Sequence, residues 1–260
     1  MTVRIEKEEK YVRFNAWFKK HGGRCPSWRW PVAFGDKGEL VGVCARRDIG
    51  FNESAVYVPV RLTLNEEQFK RSWIGEIYDD IIADYQDKVH YEHYLLIFFV
   101  AYQMTLGSKS FWYPYFEIAA DSDLPLHWSP EERDLLEDQV LKLTIEEQIE
   151  EVEEEHEEAY EVACRYKHLI DPDKLTLDLY KRAYSLVMTR SFGWSVPYMM
   201  LVPMADNCNH HCVENYFELF NSRLTRRMLN KEKIFNNYEK QYFTRNKLKI
   251  DFLKHFEEDY

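Results

Sequence analysis

The sequence predicts an α+β protein in which a β-rich start and a β-rich return are separated by a large helical block. Three observations lead there. Before Pro59, apolar residues fall in short runs broken by Gly and Asp, as in strands joined by tight turns. From about Trp73 to Tyr184 they recur every three or four residues, as on helix faces. After Arg190, short apolar and aromatic runs resume.

The elements follow in order. Tyr11 to Lys20 places Val12, Phe14, Trp17 and Phe18 at helical spacing, and His21-Gly22-Gly23 ends that helix. Val32-Ala33-Phe34 and Leu40 to Cys44 flank Gly35-Asp36-Lys37-Gly38, which predicts a hairpin. Val56-Tyr57-Val58-Pro59 is a strand closed by its proline. Tyr91 to Gln103 is apolar nearly all round and predicts a buried helix, broken at Phe111-Trp112-Tyr113-Pro114-Tyr115. Ser129-Pro130-Glu131-Glu132 is a helix start with a capping serine, a first-turn proline and a returning glutamate. Ile145, Ile149, Val152, His156, Ala159, Ala163, Tyr166 and Ile170 mark one face of a long helix stopped by Asp171-Pro172. Thr176 caps the next helix. Tyr198 to Met204 and Asn215 to Phe220 then predict strands, and the Lys- and Arg-rich tail from Arg223 is read as loosely helical.

Composition narrows the class. The 260 residues, 45% hydrophobic, suffice for one large domain or two small ones. The net charge of -11 argues against a general nucleic-acid binder and suits solubility or a basic protein partner. Five loosely spaced cysteines and a charged start predict reduced thiols and a cytoplasmic or nuclear location. The most apolar run, Tyr94 to Ala101, is too short to span a bilayer, so no membrane association is expected. The acidic stretch Glu146 to Glu158 is most simply the solvated face of the long helix.

Three segments could carry chemistry. In Glu39-Leu40-Val41-Gly42-Val43-Cys44-Ala45-Arg46-Arg47-Asp48-Ile49, one glycine within a strand permits close approach of a ligand or a second backbone. Arg190 ends Val187-Met188-Thr189-Arg190, where it can fork onto a carboxylate or complement a helix C-terminus. Leu201 to Met204 runs into the polar cluster Ala205-Asp206-Asn207-Cys208-Asn209-His210. Cys208, His210, His211 and Cys212 also raise a zinc reading, but a second ligand pair at zinc-knuckle spacing is missing.

Taken together, these segments resemble the SET-domain protein methyltransferases. Gly42 to Ile49 is similar to the opening G-x-x-A-x-[RK]-D-I of that family. Pro203-Met204-Ala205-Asp206 with Asn209-His210 is similar to its P-x-x-D-x-x-N-H signature. Phe111 to Tyr115 and Val187 to Arg190 resemble segments of the subgroup of plant Rubisco lysine and actin histidine methyltransferases. The likeness runs from about Arg13 to Phe220.

The resemblance implies a split β-rich SET domain interrupted by a large helical insertion. Residues 11–72 and 185–222 would be its two halves, 73–184 the insertion, and 223–260 an unassigned charged tail. It further implies an S-adenosylmethionine-dependent protein N-methyltransferase acting on a protein substrate, lysine first and histidine second. The cofactor would lie along the backbone at Glu39 and Val41. Arg190 would take its carboxylate, Asn209 its amino group and the His210 main chain its adenine, with Asp206 bracing the loop. The family's catalytic tyrosine stands in a Tyr-Gly segment, and none follows His210, so no catalytic residue is named. The chain is accordingly expected to be a fragment, with an inactive SET-like binding module as the alternative.

Overall fold

The computed structural model of the chain describes residues 5–34, 40–49, 53–85, 88, 91–119, 123–193, 196 and 198–208. It also describes the backbone of 215–220 and 248–253. Two compact units are present. One comprises Met1–Thr63, Phe192–Pro197 and Val202–Tyr260; the other comprises Leu64–Ser191 and Tyr198–Leu201.

The first unit opens with helix α1 (Glu9–Lys20). Its buried face is Tyr11, Phe14, Trp17 and Phe18, whereas Val12, expected on that face, is 52% exposed. The stripe is therefore rotated toward Tyr11, whose ring meets Trp30 edge-on at 5.3 Å while Phe14 lies 5.0 Å from the same indole. The helix ends as expected. Gly22 takes φ +86°, and the Gly23 N–H donates to the Phe18 carbonyl at 2.9 Å. A Cβ on Gly23 would stand 2.5 Å from the Phe18 ring, so a larger residue is excluded there.

Strands β1 (Trp28–Phe34) and β2 (Leu40–Ala45) pair antiparallel, with Val32 opposite Gly42. The hairpin is longer than the apolar pattern announced, and its register slips between Arg29 and Val32. Pro31 lies in that interval and has no N–H to give to the ladder. The turn at residues 35–38 lies outside the described residues. Strand β3 (Ser54–Pro59) follows.

The second unit begins with a two-residue strand, β4 (Leu64–Asn65), and the Asn65 side chain caps α2 (Glu66–Lys70). After α3 (Tyr78–Tyr85) comes α4 (Tyr91–Thr105), whose residues Leu95 through Gln103 are all buried. A helix apolar on every side can only be a core element, and α4 lies against α8 (Leu177–Arg190), which packs on α7 (Gln139–Arg165). Between them are α5 (Tyr113–Ile118), with Pro114 in its first turn, and α6 (Pro130–Asp134). Ser129 and Glu132 form the expected capping box, and Thr176 caps α8 as expected. The long helix stops at Arg165, short of Asp171-Pro172. Arg165 is drawn to Asp84 at 3.0 Å and the Tyr166 hydroxyl donates to Asp80, so both side chains serve α3.

The chain returns through β5 (Ser191–Phe192) and β6 (Met200–Leu201). The strand expected over Tyr198–Met204 is only two residues long, because Pro203 and a turn at Met204 end it. Leu64 pairs with Leu201 and Asn65 with Met200, all four at most 1% exposed. The helical unit thus starts and finishes at one place. In the first unit, β7 (Asn215–Phe220) and β8 (Leu248–Leu253) complete a parallel sheet in the order β3-β8-β7. The tail read as helical therefore supplies the central strand of this sheet.

Where α3, α4, α7 and α8 meet, Glu155 is 6% exposed and accepts a hydrogen bond from the buried Tyr180 hydroxyl at 3.3 Å. Burial first, then the like charge of Glu151, push its carboxyl up to about 7. Tyr94 is pushed up to about 12 by burial, with the negative charge of Glu155 adding to the shift. Lys88 pairs with Glu158 and lies over the rings of Tyr85 and Tyr94, partly offsetting the negative charge. The folded state thus holds a proton on Glu155 that the unfolded chain releases near its ordinary value of 4.5. Stability from this group is present below 4.5 and lost as pH rises to about 7. Glu155→Gln keeps the acceptor for Tyr180 without the titration. It should match wild type in thermal unfolding at pH 4.5 and exceed it by about 1–3 kcal/mol at pH 8. Parallel unfolding curves at both pH values would refute this.

Candidate functional site

Strand β2 is the edge on which the site is built. Its outer residues are partly exposed while Gly42 is buried. Packed against it is a 3-10 turn, Ala205–Asn207, that follows β6 in the chain. This brings the Gly42 strand and the Asp206 turn together within one unit, although the whole helical unit lies between them in sequence. A strand lacking a side chain at its centre thus lies next to a turn carrying a carboxylate.

The turn is held from inside. Val202, Met204 and Ala205 are at most 1% exposed. The Asp206 N–H donates to the Val202 carbonyl at 3.1 Å, and the Asn207 N–H to the Met204 carbonyl at 3.3 Å. Met204 has φ 79° and ψ -45°, the one described non-glycine residue at positive φ. A Cβ makes that conformation costly, and the surrounding burial holds it in place. The Asn207 amide donates to Asp206 Oδ1 at 3.3 Å, orienting the carboxylate. Next to it, burial and then the Asp206 charge push the Cys208 thiol up to about 12. A neutral thiol is not the state a nucleophile or metal ligand requires. His210, His211 and Cys212, the other members of the zinc reading, lie outside the described residues. Among the described residues no group of three metal-ligating side chains occurs.

The distal end of the β2 segment is fixed by a network that sequence reading missed. The Ser27 hydroxyl, on a fully buried residue, donates to Glu53 Oε1 at 2.9 Å. Arg47 Nη1 donates to Glu53 Oε2 at 3.0 Å and Arg47 Nη2 to the Ser27 hydroxyl at 3.2 Å. Arg47 belongs to the Arg-Asp-Ile end of the motif, so that arginine ties β2 to the approach to β3. Glu53 and Ser27 lie outside the motif, and nothing local in the sequence marks them.

The proposed residues divide as follows. Val41 is half-buried in β2 and Asp206 half-buried in the turn, both in the first unit. Arg190 is the last residue of α8, in the second unit, where a guanidinium also complements the helix dipole. Its helix end is anchored by Thr189, whose hydroxyl donates to the Ser185 carbonyl at 2.6 Å, and by a 2.7 Å bond between Ser185 Oγ and His127 Nε2. Glu39, Asn209 and His210 lie outside the described residues. The aromatic segment Phe111–Tyr115 is mainly packing, with Trp112 and Tyr115 buried and Phe111 40% exposed.

No protein-family model matches the chain. Among curated proteins it is 27% identical over 197 residues to the chloroplastic Rubisco large-subunit N-methyltransferase of Pisum sativum, a match covering 70% of this chain and 38% of that one. It is 26% identical over 220 residues to the actin-histidine N-methyltransferase of Callithrix jacchus, covering 81% and 36%. Among solved structures, the SET domain of LSMT bound to lysine and AdoHcy superposes with a TM-score of 0.66 at 25% identity, covering 78% of this chain and 45% of that one. The chain is thus similar in sequence to the Rubisco and actin methyltransferases and similar in fold to the SET domain of LSMT. It spans less than half the length of the relatives it matches.

The turn at Met204 gives a test of the site's scaffold. At ordinary positions glycine is the less stable of the two small residues by about 0.5–1 kcal/mol. At positive φ the order reverses. Met204→Gly should therefore unfold at a temperature equal to or above that of Met204→Ala, both below wild type because a buried side chain is lost. The ordinary order, alanine above glycine, would show that the turn is unstrained.

Proposed function

We propose that this chain is the cofactor-binding part of an S-adenosylmethionine-dependent protein N-methyltransferase, with lysine as the favoured target and histidine as the second. One observation carries the reading: the strand with the G-x-x-A-x-R-D-I pattern packs on the turn of the P-x-x-D-x-x-N-H pattern. The curated proteins to which the chain is similar are named as protein N-methyltransferases. In the same reading, residues 11–72 and 185–222 are the two halves of a SET domain and 73–184 an insertion.

In this reading the residues of β2 and of the Asp206 turn would hold the cofactor. Peptide groups of β2 at Val41 would offer a strand for its polar edge, and Asp206 would place negative charge near a cationic sulfonium. Arg190 would fork onto the amino-acid carboxylate. Asn209 would accept from the amino group, and the main chain of His210 would hold the adenine edge. When bound, the cofactor supplies an already activated methyl group, so the protein's task is alignment. A lysine acceptor has an ordinary pKa of about 10.4 and must first lose its proton, which dry aromatic surroundings favour. A histidine acceptor needs less help.

The second reading is a SET-like module that binds cofactor or partner without turnover.

Calorimetric titration with S-adenosylhomocysteine tests the assignment. Asn209→Ala and Arg190→Ala should each weaken binding by about tenfold or more, the loss expected for a hydrogen bond to a charged group. Unchanged affinity in both variants would refute the site. Methyl transfer from labelled S-adenosylmethionine to a lysine or histidine peptide separates the enzyme from the silent module.

A further inference from the structure

Helix α7 stands proud of the helical unit at its N-terminal end. Its first buried residue is Ile145, six positions after the helix begins. In the turns before it, Val140 is 74%, Leu141 47% and Leu143 60% exposed, and Leu135 just upstream is 81% exposed. Val140 and Leu143 lie about 60° apart on one side of the helix at 100° per residue, whereas Leu141 turns toward the other side. The helix needs none of them for its start, because Asp138 caps it by accepting from the Val140 and Leu141 N–H groups at 2.9 and 3.1 Å.

The same face changes character along its length. At 100° per residue, Val140, Leu143, Glu147, Glu150, Glu154 and Glu161 share one stripe, opposite the buried stripe of Ile145, Val152, Ala159 and Val162. The four glutamates are exposed. From Val140 to Glu161 the stripe measures about 32 Å at 1.5 Å per residue. Its setting is strongly one-signed: the helical unit holds 29 Asp and Glu against 12 Lys and Arg, while the rest of the chain holds 16 against 22.

We propose that this outer face of α7 is a docking surface for a Lys- and Arg-rich amphipathic segment of a partner protein. Aliphatic residues at one end of the segment cover Val140 and Leu143, and its basic residues run along Glu147, Glu150 and Glu154. Charge selects this occupant. A second copy of α7 in parallel would set glutamates against glutamates, and a nucleic acid would be repelled. An aliphatic helix without basic residues would leave the long acidic stretch unmatched. The proposal is independent of the cofactor reading, since it uses no residue of that site.

The test is fluorescence anisotropy with a labelled synthetic helix of about 20 residues. Leucines occupy the first turns of one of its stripes and lysines the rest. The 260-residue chain should bind it, and binding should weaken by at least about tenfold in half-molar salt. Glu147→Gln/Glu150→Gln/Glu154→Gln should weaken it about tenfold or more and flatten the salt dependence. Val140→Ser/Leu143→Ser should weaken it about fivefold or more. Glu6→Gln/Glu8→Gln/Glu9→Gln, in the other unit, should leave it unchanged. The substituted α7 side chains are exposed, so circular dichroism should be unaltered in every variant. No binding by wild type, equal losses in the Glu6 control, or no loss in either α7 variant would overturn the proposal. So would concentration-dependent dimerisation abolished by Val140→Ser/Leu143→Ser, because a second copy would then be the occupant.

Discussion

Two residues paired with two others govern the helical unit. Leu64 and Asn65 meet Leu201 and Met200 across an antiparallel bridge that is almost wholly buried. Closing so long an excursion carries an entropic cost, though one that grows only logarithmically with length. The apolar contacts of Leu64 and Leu201 and the packing of α4 offset it. Each fully buried leucine or phenylalanine contributes on the order of 1.5–3 kcal/mol, and α4 offers an unbroken run of buried residues. Asn65 has two tasks at this junction, because its side chain also caps α2.

The first unit obeys a different constraint. Its parallel sheet is assembled out of sequence order, with β8 between β3 and β7. Parallel neighbours need long connections, and here the connections pass through the helical unit in one case and through residues 221–247 in the other. The β2 strand and the Asp206 turn are brought together in the same way, from either side of the helical unit. Local preference cannot specify such encounters; shape and burial must.

That division explains what could be read in the sequence. Caps were legible because they are local: Ser129 with Glu132, and Thr176 with Leu179, need only neighbours three residues away. The buried helix α4 was legible because an all-round apolar helix has one possible home. The end of α7 was not, since Arg165 and Tyr166 answer to Asp84 and Asp80 on another helix. Nor was β8, whose Lys-rich surroundings mask a strand defined only by its partners. At the candidate site, the two motif strands were recognisable by pattern. The Ser27–Arg47–Glu53 clamp was hidden because its members are ordinary residues made special by distance in the chain.

The raised Cys208 thiol has a consequence for the chemistry the turn can survive. With its ionisation displaced to about 12, the thiol stays protonated near neutral pH. Peroxides and alkylating electrophiles attack the thiolate form, so they find little to react with here. Burial first, and the charge of Asp206 second, thus keep the neighbouring thiol from oxidants. The turn that carries Asp206 is in this way kept chemically quiet.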